Sequence, residues 1–207
     1  MKNLAMGLAL AAWAFGAGAQ TTGFDGDAIG AAPSGWHCGV TGSGTPHWAV
    51  ATEPGTTGGG KVLLQDGRGT FPWCVKNGSA LIDGFVEARF KPISGQEDQA
   101  GGVVWRWKDS GHYYVARANA LENNVSLYYV DGGSRKTLKY TDAPVARGAW
   151  HTLRVDFSGT RIAVSLDGKR YIELDDSHIT EPGAVGVWTK SDSVTAFDRF
   201  GAGAAPR

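Results

Sequence analysis

Leu153-Arg154-Val155-Asp156-Phe157-Ser158-Gly159-Thr160-Arg161-Ile162-Ala163-Val164-Ser165-Leu166-Asp167-Gly168-Lys169 alternates apolar and polar residues with a period of two. Leu153, Val155 and Phe157 face one way, Ser158-Gly159-Thr160 turns the chain, and Ile162, Val164 and Leu166 return before Asp167-Gly168-Lys169 turns it again. Period-two alternation broken by Gly-containing turns is the pattern of antiparallel hairpins, not of a helix.

The same pattern extends outward from this stretch. Upstream, Val86, Ala88 and Phe90 oppose Phe85, Glu87, Arg89 and Lys91, and Val103, Trp105 and Trp107 oppose Val104, Arg106 and Lys108. Tyr113 to Ala118 pairs with Val125 to Val130, and Asp131-Gly132-Gly133 turns into Lys136 to Thr141. Downstream come Ala184 to Trp188 and Thr195 to Phe200, then a Gly- and Ala-rich stretch over 201–207 that predicts a flexible tail. Before Gly60 the chain is mostly turn-forming, with extended character near Trp36 and from His47 to Ala51. About a dozen strands without a helix predict an all-β fold: two packed antiparallel sheets in a jelly-roll sandwich, one of them curved enough to offer a concave face.

Composition agrees. The chain of 207 residues has 31 Gly, 8 Trp and 19% charged residues, which suits short strands and tight turns. Lys2, the apolar run Leu4 to Phe15 and the small residues Ala17-Gly18-Ala19 read as a cleavable secretory leader over residues 1–19, leaving one domain over 20–200 ahead of the tail. The expected destination is the periplasm or the exterior, as a monomer. The 20 basic and 20 acidic residues cancel, which argues against nucleic acid or an anionic membrane as partner. Cys38 and Cys74 are expected to form a disulfide in an oxidising compartment, the alternative being two buried thiols. Closing that loop would stabilise by roughly 3–4 kcal/mol in the chain-entropy model.

Polar side chains inside strands point to the candidate site. Arg106, Tyr113, Arg117 and Asn119 cluster in sequence, Tyr113, Arg117 and Asn119 share a face by alternation, and Glu122-Asn123-Asn124 follows where a loop could fold over them. Fork-shaped donors and amides take paired sugar hydroxyls, and an aromatic ring packs on the apolar face of a pyranose. The plainer alternative is a surface ion-pair ladder of Arg117 with Glu122 or Glu87. Trp188, with Trp105 or Trp107, is the expected exposed platform, and Lys190 in the polar segment Trp188-Thr189-Lys190-Ser191-Asp192 would line the same site.

Catalytic motifs are scarce: the sequence has no G-x-S-x-G, H-E-x-x-H, P-loop or C-x-x-C. A glycosidase would need two carboxyl groups across the scissile bond, for which Glu87, Glu97, Asp98 and Glu122 are available, with His151 or His112 as a base. No cofactor is required by the sequence, although Asp25 and Asp198 could meet at a structural calcium ion near the chain ends.

The segments Asp98-Gln99-Ala100-Gly101-Gly102-Val103-Val104-Trp105-Arg106, Tyr113 to Asn124, Ala149-Trp150-His151-Thr152-Leu153-Arg154-Val155 and Gly186-Val187-Trp188-Thr189-Lys190-Ser191-Asp192-Ser193-Val194 carry a family resemblance. Together they resemble exported bacterial proteins of the concanavalin A-like lectin and glucanase superfamily, near its laminin G-like and family-16-like (3-keto-disaccharide hydrolase, DUF1080) domains. The resemblance implies the jelly roll, a carbohydrate ligand, and Arg106, Arg117, Asn119, Glu122 and Lys190 as site residues. The family's glucanases carry E-x-D-x-x-E or E-x-D-x-E on one strand. Here Glu173-Leu174-Asp175 begins that pattern, but His178 stands where the last Glu belongs. Three functions follow in order: a noncatalytic carbohydrate-binding domain, a glycoside hydrolase or lyase using another site, and a laminin G-like structural or protein-binding module.

Overall fold

A computed structural model describes residues 20–204; the leader read over residues 1–19 and the last three residues lie outside the described residues. Fifteen strands follow in chain order: β1 (Gln20–Thr22), β2 (Trp36–Thr45), β3 (Trp48–Thr52), β4 (Lys61–Gln65), β5 (Arg68–Lys76), β6 (Gly84–Ser94), β7 (Ala100–Asp109), β8 (His112–Asn119), β9 (Asn124–Asp131), β10 (Ser134–Asp142), β11 (His151–Ser158), β12 (Arg161–Leu166), β13 (Lys169–Asp175), β14 (Ala184–Trp188) and β15 (Val194–Ala204). All pairings are antiparallel. One sheet runs β13-β12-β11-β6-β15-β4-β3 with β1 added on β15, and the other runs β10-β9-β8-β7-β14-β5-β2.

The alternation of the sequence becomes the sandwich core. Val86, Ala88, Phe90, Leu153, Val155, Phe157, Ile162 and Val164 of the first sheet face Val103, Trp105, Tyr114, Ala116, Leu127 and Val187 of the second. The Cys38–Cys74 disulfide joins directly paired residues of β2 and β5.

The second sheet is buried on its other face too. Trp73, Val75, Val104, Tyr113, Val115, Tyr128, Val130 and Trp188 form a separate apolar cluster there, so β8 reads as continuously buried after His112. Curvature produces this. Arg135 of β10 lies 4.8 Å from the ring of Phe71 in β5, although five strand-to-strand steps separate those strands in the sheet order and a flat sheet would hold them roughly 24 Å apart. The sheet is rolled until its margins meet. Gly39 of β2 permits part of the roll, since a Cβ there would stand 2.7 Å from the indole of Trp73.

The predicted flexible tail is corrected in part. Gly201–Ala204 continue β15, pairing with Glu87–Gly84 of β6, while Gly201 and Ala202 also pair with β1. The small residues there serve close packing: a Cβ on Gly84 would come 2.1 Å from the carbonyl oxygen of Gly203.

Candidate functional site

The rolled sheet is closed along a seam, and a mouth opens beside it. At the seam Thr41 of β2 donates to the Ser110 carbonyl at 2.5 Å and shares a 2.9 Å hydrogen bond with the Tyr113 hydroxyl. Tyr113 is fully buried, and burial raises its pKa despite the bond to Thr41. It therefore closes the cleft and does not present itself to a ligand. Beside this seam a mouth of about 440 Å³ is bordered by Ser43, Arg68, Phe71, Glu97, Arg135, Lys190 and Ser191.

A polar cluster backs this mouth. Arg117 and Asp98 are both buried and pair at 3.3 Å. The guanidinium also donates to Glu122, and Lys190 donates to the second oxygen of Asp98. Asn124 donates to Glu122 at 2.8 Å and accepts from Arg117 at 3.3 Å. Burial alone would push the Glu122 carboxyl up, but the Asn124 amide and the Arg117 charge outweigh it and hold the group below its ordinary value. Asn119 is scaffold: its amide donates to Asp98 at 2.7 Å, and its carbonyl oxygen accepts from the Leu121 N–H at 2.9 Å.

The loop that delivers Asp98 is held from below. Asp192 accepts from the backbone N–H groups of Gln96, Glu97 and Asp98 at 2.8, 3.0 and 3.1 Å. Those three donors overcome the opposing effect of burial and lower the Asp192 pKa. A carboxylate that accepts from three backbone amides ties the loop's main chain to Asp192, and the same bonds favour its charged form.

An aromatic shelf connects cluster and mouth. The Arg117 guanidinium lies 5.7 Å from the Tyr128 ring, Arg135 lies 4.2 Å from the same ring, and Phe71 stacks on Trp188 at 5.7 Å. Arg117, Asn119, Glu122, Asn124 and Lys190 are thus brought together as the sequence suggested, although Arg117 is buried, unlike a member of a surface ladder. Trp188 is fully buried beneath Phe71, and Trp105 lies in the sandwich core, so neither is an exposed platform.

Arg106 is a correction. It has a φ of 46° where β7 gains a residue relative to β14, with Trp107 opposite Ala184 and Val104 opposite Gly186. That bulge turns Arg106 out of the alternation, toward the carbonyls of Ile82, Gly159 and Ile179, to which it donates at 2.7–3.1 Å. It ties loops together away from the mouth.

The catalytic candidates assemble only in part. Glu87 stands on β6 of the other sheet, paired with Arg154 at 3.6 Å. His151 is buried on β11, bridging Asp167 at 2.7 Å and the Ala146 carbonyl at 3.1 Å. His112 sits at the β7–β8 turn with Asp109. Of the carboxylates, Asp98 and Glu122 lie in the cluster, both on Arg117, and Glu97 borders the mouth.

Asp25 and Asp198 do not fit a shared calcium ion. Asp25 accepts from the N–H groups of Gly59 and Lys61, while Asp198 is paired with Arg89 and accepts from Thr57. Both are engaged by protein donors, Asp198 by a cation among them, and both clamp the Thr57–Lys61 loop. Among the described residues no group of three or more His, Cys, Asp or Glu is arranged to hold a metal.

Sequence reasoning missed Arg135, Phe71, Tyr128 and Ser191. Arg135 had a readable signal: it has opposite parity to Leu138, which packs on the sandwich core, so alternation sends Arg135 to the other face.

No family model matches the sequence, and no curated protein matches it. Among solved structures, the chain is similar to a carbohydrate-binding module from Bacillus subtilis, at 21% identity and TM-score 0.62 over 79% of this chain and 92% of that one. It is also similar to a Bacillus subtilis protein of unknown function with a galectin-like fold, at 11% identity and TM-score 0.62 over 83% and 90%. The fold is an all-β jelly-roll sandwich, shared with these structures. A Bacillus licheniformis β-glucanase shares this jelly roll at 12% identity and TM-score 0.61, over 93% of this chain and 100% of that one.

Proposed function

We propose that the protein is an exported, noncatalytic carbohydrate-binding jelly roll whose site is the mouth of the rolled sheet. The observation that carries this reading is the continuity of Phe71, Tyr128 and Arg135 with the Arg117–Asp98–Glu122–Asn124–Lys190 cluster. An apolar ring face beside fixed donors and acceptors is the combination that sugars require. The names of the solved neighbours, which include a carbohydrate-binding module and a glucanase, support the ligand class.

Electrostatics favour binding over cleavage. A glycosidase acid needs a carboxyl whose pKa is raised, whereas Glu122 is held low and Asp98 is clamped between Arg117 and Lys190. A hydrolase of the 3-keto-disaccharide type or a laminin G-like protein-binding module would have to use another surface. The Cys38–Cys74 disulfide supports an oxidising destination, periplasmic or extracellular.

The test is binding of the purified protein to an array of neutral and acidic oligosaccharides, with mass analysis of each bound glycan after overnight incubation. Intact glycans bound by the wild type and at least tenfold more weakly by Phe71→Ala uphold the reading. Cleaved glycans would make the protein a hydrolase, and an array without hits would remove carbohydrate as the ligand.

A further inference from the structure

We propose that the mouth selects an acidic sugar, with the carboxylate of a uronic acid residue seated on Arg135. The inference rests on the carbohydrate reading above and narrows it to one ligand chemistry.

The charges around the mouth cancel in pairs, with one exception. Arg68 is matched by Glu97 at 2.9 Å, Arg117 by Asp98 and Glu122, and Lys190 by Asp98. Arg135 has no carboxylate partner among the described residues. It is held instead by ring faces, 4.2 Å from Tyr128, 4.8 Å from Phe71 and 5.9 Å from Trp188, and its Nη1 is buried without a hydrogen-bond partner. Across the Tyr128 ring, the Nε of Arg117 is likewise buried and unpartnered. Both orphaned groups are N–H donors. A group meeting the rest of the Arg135 fork in the mouth also meets only donors, so it has to bring acceptors, and a carboxylate brings two acceptor oxygens and nothing that donates.

The chemistry of a guanidinium sharpens the choice. Its planar fork matches the two oxygens of a carboxylate and forms charge-assisted bonds stronger than those to a neutral hydroxyl. Stacking on aromatic faces already pre-organises that fork, which lowers the entropy lost on engagement. In a hexuronic acid the carboxylate is attached directly to the ring, so a sugar seated in the mouth beside Phe71 would hold its anion close to Arg135, which lines the same mouth. A neutral sugar would leave the excess positive charge unanswered.

The experiment compares the full protein with three sets of probes: oligouronates, the same oligosaccharides with their carboxyl groups reduced to alcohols, and sulfated oligosaccharides of equal length. The proposal requires oligouronates to bind at least tenfold more tightly than the reduced set, the scale expected of a hydrogen-bonded charge. That advantage should shrink as salt rises, disappear in Arg135→Gln and survive in part in Arg135→Lys. Equal affinity for uronates and their reduced forms would overturn the acidic specificity while leaving carbohydrate binding intact. Binding confined to the sulfated set would overturn the carboxylate assignment. Failure of every probe and every neutral glycan would overturn the carbohydrate reading itself.

Discussion

Thr41 and Tyr113 share a 2.9 Å hydrogen bond, although the order β8-β7-β14-β5-β2 places four strand-to-strand steps between their strands. In a flat sheet those steps would span roughly 19 Å. Thr41→Val keeps the shape of the side chain and removes the hydroxyl that serves both the Ser110 carbonyl and Tyr113. It should lower stability by about 1–3 kcal/mol, the cost of stranding buried polar groups, measured by urea unfolding. An unchanged midpoint would show that the seam is closed by packing alone.

Arg117→Met should be far more damaging. It leaves Asp98 buried beside Lys190 and without its guanidinium, a loss of about 3–5 kcal/mol for half of a buried pair. Thermal denaturation with Glu122→Gln as the companion variant separates the two contacts, because Glu122 is partly exposed and its loss should cost little stability. Equal losses in the two variants would refute the view that Asp98 is the partner that matters.

Arg106→Met should destabilise by roughly 2–4 kcal/mol, since the carbonyls of Ile82, Gly159 and Ile179 lose their donor. Glycan affinity of the folded fraction should not change, because the residue stands apart from the mouth. A titration showing weaker binding at full folding would return Arg106 to the site.

Acid should loosen the site before it unfolds the sandwich. Glu122 and Asp192 are both held below their ordinary values of 4.5 and 3.8. A carboxyl with a depressed folded pKa contributes stability that is fully present above its unfolded value and is lost as pH falls through the folded one. Stability should therefore decline below about pH 4.5 and more steeply below pH 3.8. In Glu122→Gln with Asp192→Asn this acid limb should be shallower. Superimposable limbs for wild type and double variant would place the relevant protons elsewhere.

The first sheet was legible because one of its faces is wet. Val86, Ala88 and Phe90 alternate with half-buried neighbours in sequence as in structure, and the hairpin from Leu153 to Leu166 pairs as its turns dictate. The rolled sheet was less legible, because burial on both faces erases the contrast that period-two reading depends on. Tyr113, Arg117 and Asn119 do share a face, yet nothing in their spacing shows that the face folds onto itself. Arg106 misled because a single added residue in β7 reverses inward and outward. Trp188 misled because its strand-end position says nothing of Phe71 stacked above it. Arg135 escaped notice because its neighbours come from β5, β9 and β14, a convergence produced only by the roll.

Five of the tryptophans divide between two compartments. Trp48 and Trp105 belong to the layer between the sheets, whereas Trp73 and Trp188, with Trp107 packed against them, belong to the inside of the roll. Parting the seam between Thr41 and Tyr113 would wet only the second set. The indole emission spectrum thus carries a built-in optical record of the roll, able to distinguish a molecule that has uncurled from one that has melted.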